Sequence, residues 1–198
     1  MFNCFTRGVL DCFQGPSTVV TNSYSQLIDT SSEIKLDSKN AGGDVVILKN
    51  GTRICGSGGA ISTVPIEQNK AYFEVKIQQS GIWGVGLANK SANLNEIPLK
   101  ENSWFIKEDG SLWSNGEHVG KIDISFEEGD TIGVAFDHVD LKFYHNSNII
   151  TDTITSVRGQ VFPVLFVDSN AILDIRFKSF QVNPPPGYEE IMLEQTLL

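Results

Sequence analysis

Two carboxylates and an imidazole fall within four residues at Asp137, His138 and Asp140, and these are donor types that hold divalent metals. A hairpin turn selects the same residues, because short polar side chains satisfy the local backbone. The turn is the reading adopted, and no metal is expected. The stretch "DSKNAGGD" (37–44) has the oxygen donors and glycines of a calcium loop. Its twelfth position is Leu48, where such a loop needs a bidentate Glu, so it is rejected. Cys55 has no second Cys or His near it in sequence, and a zinc site takes about four ligands. The three histidines, His118, His138 and His145, supply a Ser/His/Asp set only in the sense that almost any chain does. Asp123, Glu127, Glu128, Asp130 and Asp137 offer carboxylates for a glycosidase pair, but Glu127, Glu128 and Asp130 crowd one turn, where solvated charges belong.

Two glycine-rich stretches could cradle a phosphate. "GVGLAN" (84–89) lacks the third glycine of a dinucleotide loop, and a polar segment with Pro98 follows instead of a helix. Gly84 and Gly86 are therefore read as packing glycines, placed where one sheet bends closely over another. "CGSGGAIST" (55–63) has no Lys-Ser/Thr after the glycines and no Gly-x-Ser-x-Gly spacing. It reads as a mobile loop between strands. No catalytic residue and no cofactor is assigned, and the chain is not expected to be an enzyme.

The elements around these residues are β throughout. "AYFEVKIQQ" (71–79) alternates Phe73, Val75 and Ile77 against Tyr72, Glu74 and Lys76; with the Trp83, Val85, Leu87 stretch it predicts a hairpin about Ser80-Gly81. "GDTIGVAFDHVDLKFYHNSNII" (129–150) predicts another, and "VFPVLFVDSNAILDIRF" (161–177) a third, turning at 168–170. Residues 103–119 hold two short strands around Asp109-Gly110 and then an Asn-Gly turn at 115–116. "NLNEIPLKEN" (93–102) reads as a loop. No helical stripe of useful length occurs before residue 185, so the expected class is all-β, an antiparallel sandwich. The expected organisation is an irregular leader over 1–30, the sandwich over 31–182 and a Pro-rich tail over 183–198 that packs on it. The tail offers one or two turns of possible helix, or a docking segment for a partner.

Composition narrows the partners. The chain has 198 residues, 40% hydrophobic and 20% charged, enough for one domain with a proper core. Its net charge of −9 repels nucleic acid and anionic lipid, so neither is an expected primary partner. Three cysteines make a poor disulfide framework and suit a reducing compartment. The N-terminus has no basic n-region before a long apolar run, so no signal peptide is expected and the expected location is cytosol or nucleus. Cys4 and Cys12, set among Phe2, Phe5, Val9, Leu10 and Phe13, could be S-acylated, and two acyl chains would anchor the protein to a membrane. That is the alternative reading: a membrane-associated accessory protein.

The blocks at 71–89, 129–150 and 161–177 together resemble the SPRY (B30.2-like) domain family. Its cadence is an aromatic-Glu-Val strand, a Trp/Val-Gly-Val-Ala strand, a Gly-Asp-x-Ile/Val-Gly-Val strand with a Phe-Tyr-x-Asn return, and a Tyr/Phe-Pro-x-Val strand. "DVVILKNGTRICGSGG", "LNEIPL", "AILD" and "PPPGYEEI" further resemble the small SPRY domain-containing protein 7 family, whose members are little more than the one domain. The resemblance implies a concanavalin-like jelly roll and a non-catalytic interaction module, binding a short peptide or protein surface through loops at one end of the sandwich. The loops so implied are 56–63, with Gly56, Ser57 and Gly58; 93–100, with Asn93 and Asn95; and the turn Val167, Asp168, Ser169 and Asn170. Several peptide-binding relatives carry an aromatic residue where this chain has Asp168, so their acidic, Asn-rich ligands are not expected here. An acidic turn favours Lys, Arg or polar backbone; the alternative is a vestigial site in which Asp168 and Asn170 serve only the turn. A monomer is expected.

Overall fold

The computed structural model describes residues 33–193. Cys4 and Cys12 lie outside the described residues. Fourteen strands follow in order: β1 (Leu36–Ala41), β2 (Asp44–Leu48), β3 (Arg53–Ser62), β4 (Lys70–Gln79), β5 (Ile82–Ala88), β6 (Ser103–Lys107), β7 (Ser111–Ser114), β8 (Glu117–Lys121), β9 (Thr131–Asp137), β10 (Asp140–His145), β11 (Asn148–Ile154), β12 (Phe162–Asp168), β13 (Ile172–Arg176) and β14 (Glu189–Glu190). They build an antiparallel, nearly closed sandwich of two sheets that share β3. The first sheet runs β1-β3-β12-β5-β6-β7-β8 and the second β11-β10-β9-β4-β13-β3-β2.

Between the sheets lies one core. Phe73, Val75 and Ile77 of β4, Ile132 and Val134 of β9, and Leu173 and Ile175 of β13 meet Trp83, Val85 and Leu87 of β5 and Leu165 and Val167 of β12. The period-2 alternation read from the sequence is this inner face. β12 is buried on both faces, which is why it reads as the unbroken run "VFPVLFV". On its outer face Val164 and Phe166 join Ile61, Phe105 and Leu99 in a second cluster, roofed by Leu94 and Ile97 of the 89–102 loop.

Of the three expected hairpins only β9–β10 pairs as one, closing Asp137 on Asp140 around His138 and Val139. β4 and β5 do not pair: β4 lies between β9 and β13, and β5 between β12 and β6. Likewise β12 belongs to the first sheet and β13 to the second. Both links cross from one sheet to the other. Alternation could not reveal this, because a strand buries the same face whether its successor lies beside it or opposite. The 56–63 stretch is not a mobile loop either. Residues 56–62 are the second part of β3, which pairs with β13 through residues 53–54, with β2 through residues 53–57 and with β12 through residues 58–61. A strand that changes sheets must bend. Gly56 supplies the bend, with φ +95°, and a Cβ there would lie 2.3 Å from Asp44 O.

Gly84 and Gly86 are packing glycines, but the neighbour differs from the one expected. Each sits opposite a phenylalanine of an adjoining strand in its own sheet: Gly84 opposite Phe166, Gly86 opposite Phe105. The two rings meet edge-on at 5.0 Å. At Gly84 the Phe166 ring uses the space left bare, whereas at Gly86 the backbone of β6 itself comes close.

On its outer face β4 is covered by residues 180–182. Glu74, 1% exposed, points into that cover. Its carboxylate accepts the Gln181 N–H (2.7 Å), the Val182 N–H (2.8 Å) and the Tyr72 hydroxyl (3.2 Å). Phe180 packs edge-on to Tyr72 at 4.9 Å. Burial, with the Glu74 carboxylate next, pushes the Tyr72 phenol far above its usual range. In the tail, where one or two turns of helix were possible, residues Glu189–Glu190 form β14, which pairs parallel with the start of β4. Gln68 fastens it: its amide donates to Glu190 O (2.8 Å) and accepts from Met192 N (2.6 Å). These bonds draw the backbone into an extended path that a helix would forgo.

Asp174 of β13 ties the sheet to the turn at 49–51. Arg53 grips it through both oxygens, at 2.5 and 2.8 Å, and Lys49 adds a third contact at 3.0 Å. Burial alone would raise its pKa, but the bonds from Arg53 and Lys49 outweigh that and hold it below the ordinary carboxylate value. Stabilisation from a depressed carboxylate is complete above its unfolded pKa and is lost as pH falls through the folded one. Asp174→Asn is therefore expected to cost ~2 kcal/mol at neutral pH and almost nothing near pH 2. Urea midpoints for both proteins across that range check it; parallel curves would show that the pair carries no linkage.

Candidate functional site

Three chain crossings sit side by side at one end of the sandwich. They are β3 at its glycine bend, the β4–β5 link at Ser80-Gly81, and the β12–β13 link at Ser169-Ala171. A Cβ on Gly81 would lie 2.6 Å from Ser169 O, so the last two touch. Between the crossings opens a cleft of about 510 Å³ lined by Cys55, Gly56, Ser57, Gln79 and residues 168–172.

The cleft brings together two of the three sequence-derived loops. Gly56, Ser57, Ser169 and Asn170 are exposed on its walls, and Asp168 is half-buried. Asp168 Oδ1 accepts the Ser169 N–H at 2.7 Å, while Oδ2 meets no donor among the described residues. Gly58 and Val167 are buried and paired across β3 and β12, and neither lines the cleft. The 93–100 loop runs alongside and does not line the cleft. Leu94 O accepts the Gly59 N–H at 2.7 Å, and Asn95 Oδ1 accepts the Gly43 N–H at 2.8 Å. Asn93 caps the same loop by accepting the Asn95 N–H at 3.2 Å. Asn95 is thus engaged in holding the β1–β2 turn.

Sequence reasoning missed Gln79 and Cys55 as wall residues. Gln79 ends β4, and only the crossing brings it against Ile172. The Cys55 thiol, half-exposed, lies 3.7 Å from Val46 O.

The chemistry offered is hydrogen bonding. The walls carry one carboxylate, hydroxyls, amides and bare backbone, and no histidine. His118 sits on β8 against Trp113, His138 in the β9–β10 turn, and His145 on β10 with its ring nitrogen 2.7 Å from Asp130. Asp130 also accepts from Asn146 and the Glu127 N–H. Burial opposes these bonds, yet they hold its pKa below the usual range. The pair fixes two turns rather than facing the cleft. Among the described residues no three His, Cys, Asp or Glu side chains converge as a metal site would require.

The SPRY domain family model matches residues 70–180. SPRY domain-containing protein 7 from human and from chicken are each 45% identical over 168 residues, 83% of this chain and 86% of theirs. Among solved structures, the SPRY domain of human HERC1 superposes with a TM-score of 0.58 at 20% identity, covering 71% of this chain and 96% of that domain. The TRIM65 PSpry domain gives 0.60 at 14% identity, over 73% and 90%. Both share the fold. With its strand cadence, its shared core and these likenesses, the chain belongs to the SPRY domain family, within the branch of SPRY domain-containing protein 7.

Proposed function

We propose that this chain is a non-catalytic interaction module and that it takes a short peptide or protein loop in the cleft at the strand crossings. SPRY domains are generally protein-interaction modules. The observation that carries the reading to this cleft is Asp168: a carboxylate with one oxygen unengaged among the described residues, in a concave polar site whose walls are tied into both sheets. Rigid scaffolds with polar groups at loop ends are where recognition is usually placed. With no cation on the cleft walls and a net charge of −9, the complementary group is a lysine or arginine side chain flanked by polar backbone.

The test is affinity capture from cell lysate with wild type, Asp168→Arg and Ser57→Tyr, each checked for folding by circular dichroism. Partners retained by wild type and lost from both variants are expected. An unchanged partner list from folded variants would remove the cleft from the function.

A further inference from the structure

The residues between the two fastenings of the C-terminal segment form a strap with its own chemistry. Glu74 secures Gln181 and Val182 at one end, and β14 with Gln68 secures Glu189 to Met192 at the other. From 183 to 188 the chain reads Asn-Pro-Pro-Pro-Gly-Tyr. The backbone bond within this strap is Tyr188 N–H to Pro185 O at 3.0 Å, which closes a turn over Pro186 and Gly187. Prolines donate nothing, so beyond this bond the strap is held mainly at Tyr188, whose hydroxyl hydrogen-bonds the Asp137 carboxylate.

Its inner side is not packed shut. Pro184, Pro185 and Pro186 overlie a cleft of about 690 Å³ floored by Tyr72, Tyr144 and Ile149. Its outer side is accessible, with Pro186, Gly187, Glu189 and Glu190 exposed. Tyr188 is half-buried, its ring 5.3 Å from the Lys70 ammonium. Consecutive prolines pre-set the polyproline II path, and its three-residue repeat places Pro185 and Tyr188 on one side of the extended chain. An aromatic-grooved module reads such a segment at low entropic cost. There is no second proline three residues on, so an SH3-type register is not available; two prolines and then a tyrosine suit a WW-type groove with a separate slot for the ring.

We propose that residues 184–188 are a docking ligand for a WW-type proline-reading module, presented from the strap and engaged when the Pro185–Tyr188 turn opens. Glu189, Glu190 and the acidic chain favour a module with a basic groove. This surface lies apart from the crossings cleft and stands independently of its function.

The probe is an isolated WW domain that reads Pro-Pro-x-Tyr, titrated calorimetrically against the full chain and against a synthetic peptide of residues 181–192. The peptide is expected to bind, and the full chain to bind at least roughly tenfold more weakly, because the Tyr188 N–H bond to Pro185, its hydroxyl bond to Asp137 and the Tyr188 packing must first be given up. Pro185→Ala and Tyr188→Ala are expected to lose at least roughly tenfold in both peptide and chain. The peptide versions need no folding, so loss there separates recognition from a damaged domain. Asp168→Arg is expected to bind the WW domain as wild type does. Failure of the peptide to bind, silence of the full chain, or undiminished binding by Tyr188→Ala would each overturn the proposal.

Discussion

Gly86→Ala is expected to leave little folded protein. A Cβ at that position would lie 2.0 Å from Trp104 O and 2.6 Å from the Phe105 Cα. These are backbone atoms of the neighbouring strand, held by the β5–β6 pairing itself. Neither can move without breaking the ladder, so the loss should exceed ~3 kcal/mol, the upper range for overpacking. Gly84→Ala is the instructive contrast. Its Cβ would meet the Phe166 ring, at 2.2 Å, and no backbone atom as closely. A side chain can be shortened where a backbone cannot. Gly84→Ala/Phe166→Leu should recover a large part of the stability lost in Gly84→Ala, while Gly86→Ala/Phe105→Leu should recover almost none. Guanidinium unfolding of the two double-mutant cycles measures this. Equal rescue at both positions would mean that the ring, not the strand, is what Gly86 accommodates.

Glu74→Ala is expected to be nearly as damaging, by a different route. It would leave two partly buried backbone N–H groups and the buried Tyr72 hydroxyl without their acceptor, beside Phe180. At about 1–3 kcal/mol for each buried donor, partly relieved by water entering, the net loss should be ~3 kcal/mol. For a domain of this size that lowers the melting temperature by roughly 10 °C. Glu74→Gln keeps one carbonyl oxygen and should lose about half as much. The Tyr72 phenol provides a second readout. Its elevated titration rests first on burial and then on the adjacent carboxylate, so in Glu74→Gln it should fall part of the way toward normal, as followed by ultraviolet absorbance. A melting temperature unchanged in Glu74→Ala would show that the segment from 177 onward is held by its apolar contacts alone.

The class of fold was legible because burial is written into period 2. Phe73, Val75 and Ile77, like Ile132 and Val134, identify an inner face without any knowledge of partners. Partner choice is a different matter. Ser80-Gly81 and Asp168-Ser169-Asn170 look the same whether the chain doubles back beside itself or steps across a sandwich, and only long-range pairing decides. The candidate site inherits that limit. Ser57, Asp168 and Asn170 could be named from the family cadence, whereas Gln79 and Cys55 reach the cleft only because two links cross. Asn95 looked like a free recognition side chain, yet its carbonyl oxygen is engaged by Gly43. Nothing in its local sequence marks that bond, since the partner is 52 positions away. Glu74 was read simply as the polar face of a strand; its burial depends on residues that follow it by about a hundred positions.

The sharing of β3 between sheets has a kinetic consequence. β3 must find β12 across roughly a hundred intervening residues, and β4 must find β13 across a similar gap. Closing such loops comes before any reward from the contacts, which places the domain among slow folders. During that interval the run Phe162–Val167, apolar on both faces and rich in β-forming residues, has neither of its flanking strands. It is then an open edge available to another copy of the same chain. β3, which joins the two sheets, is thus also a strand whose arrival covers this edge.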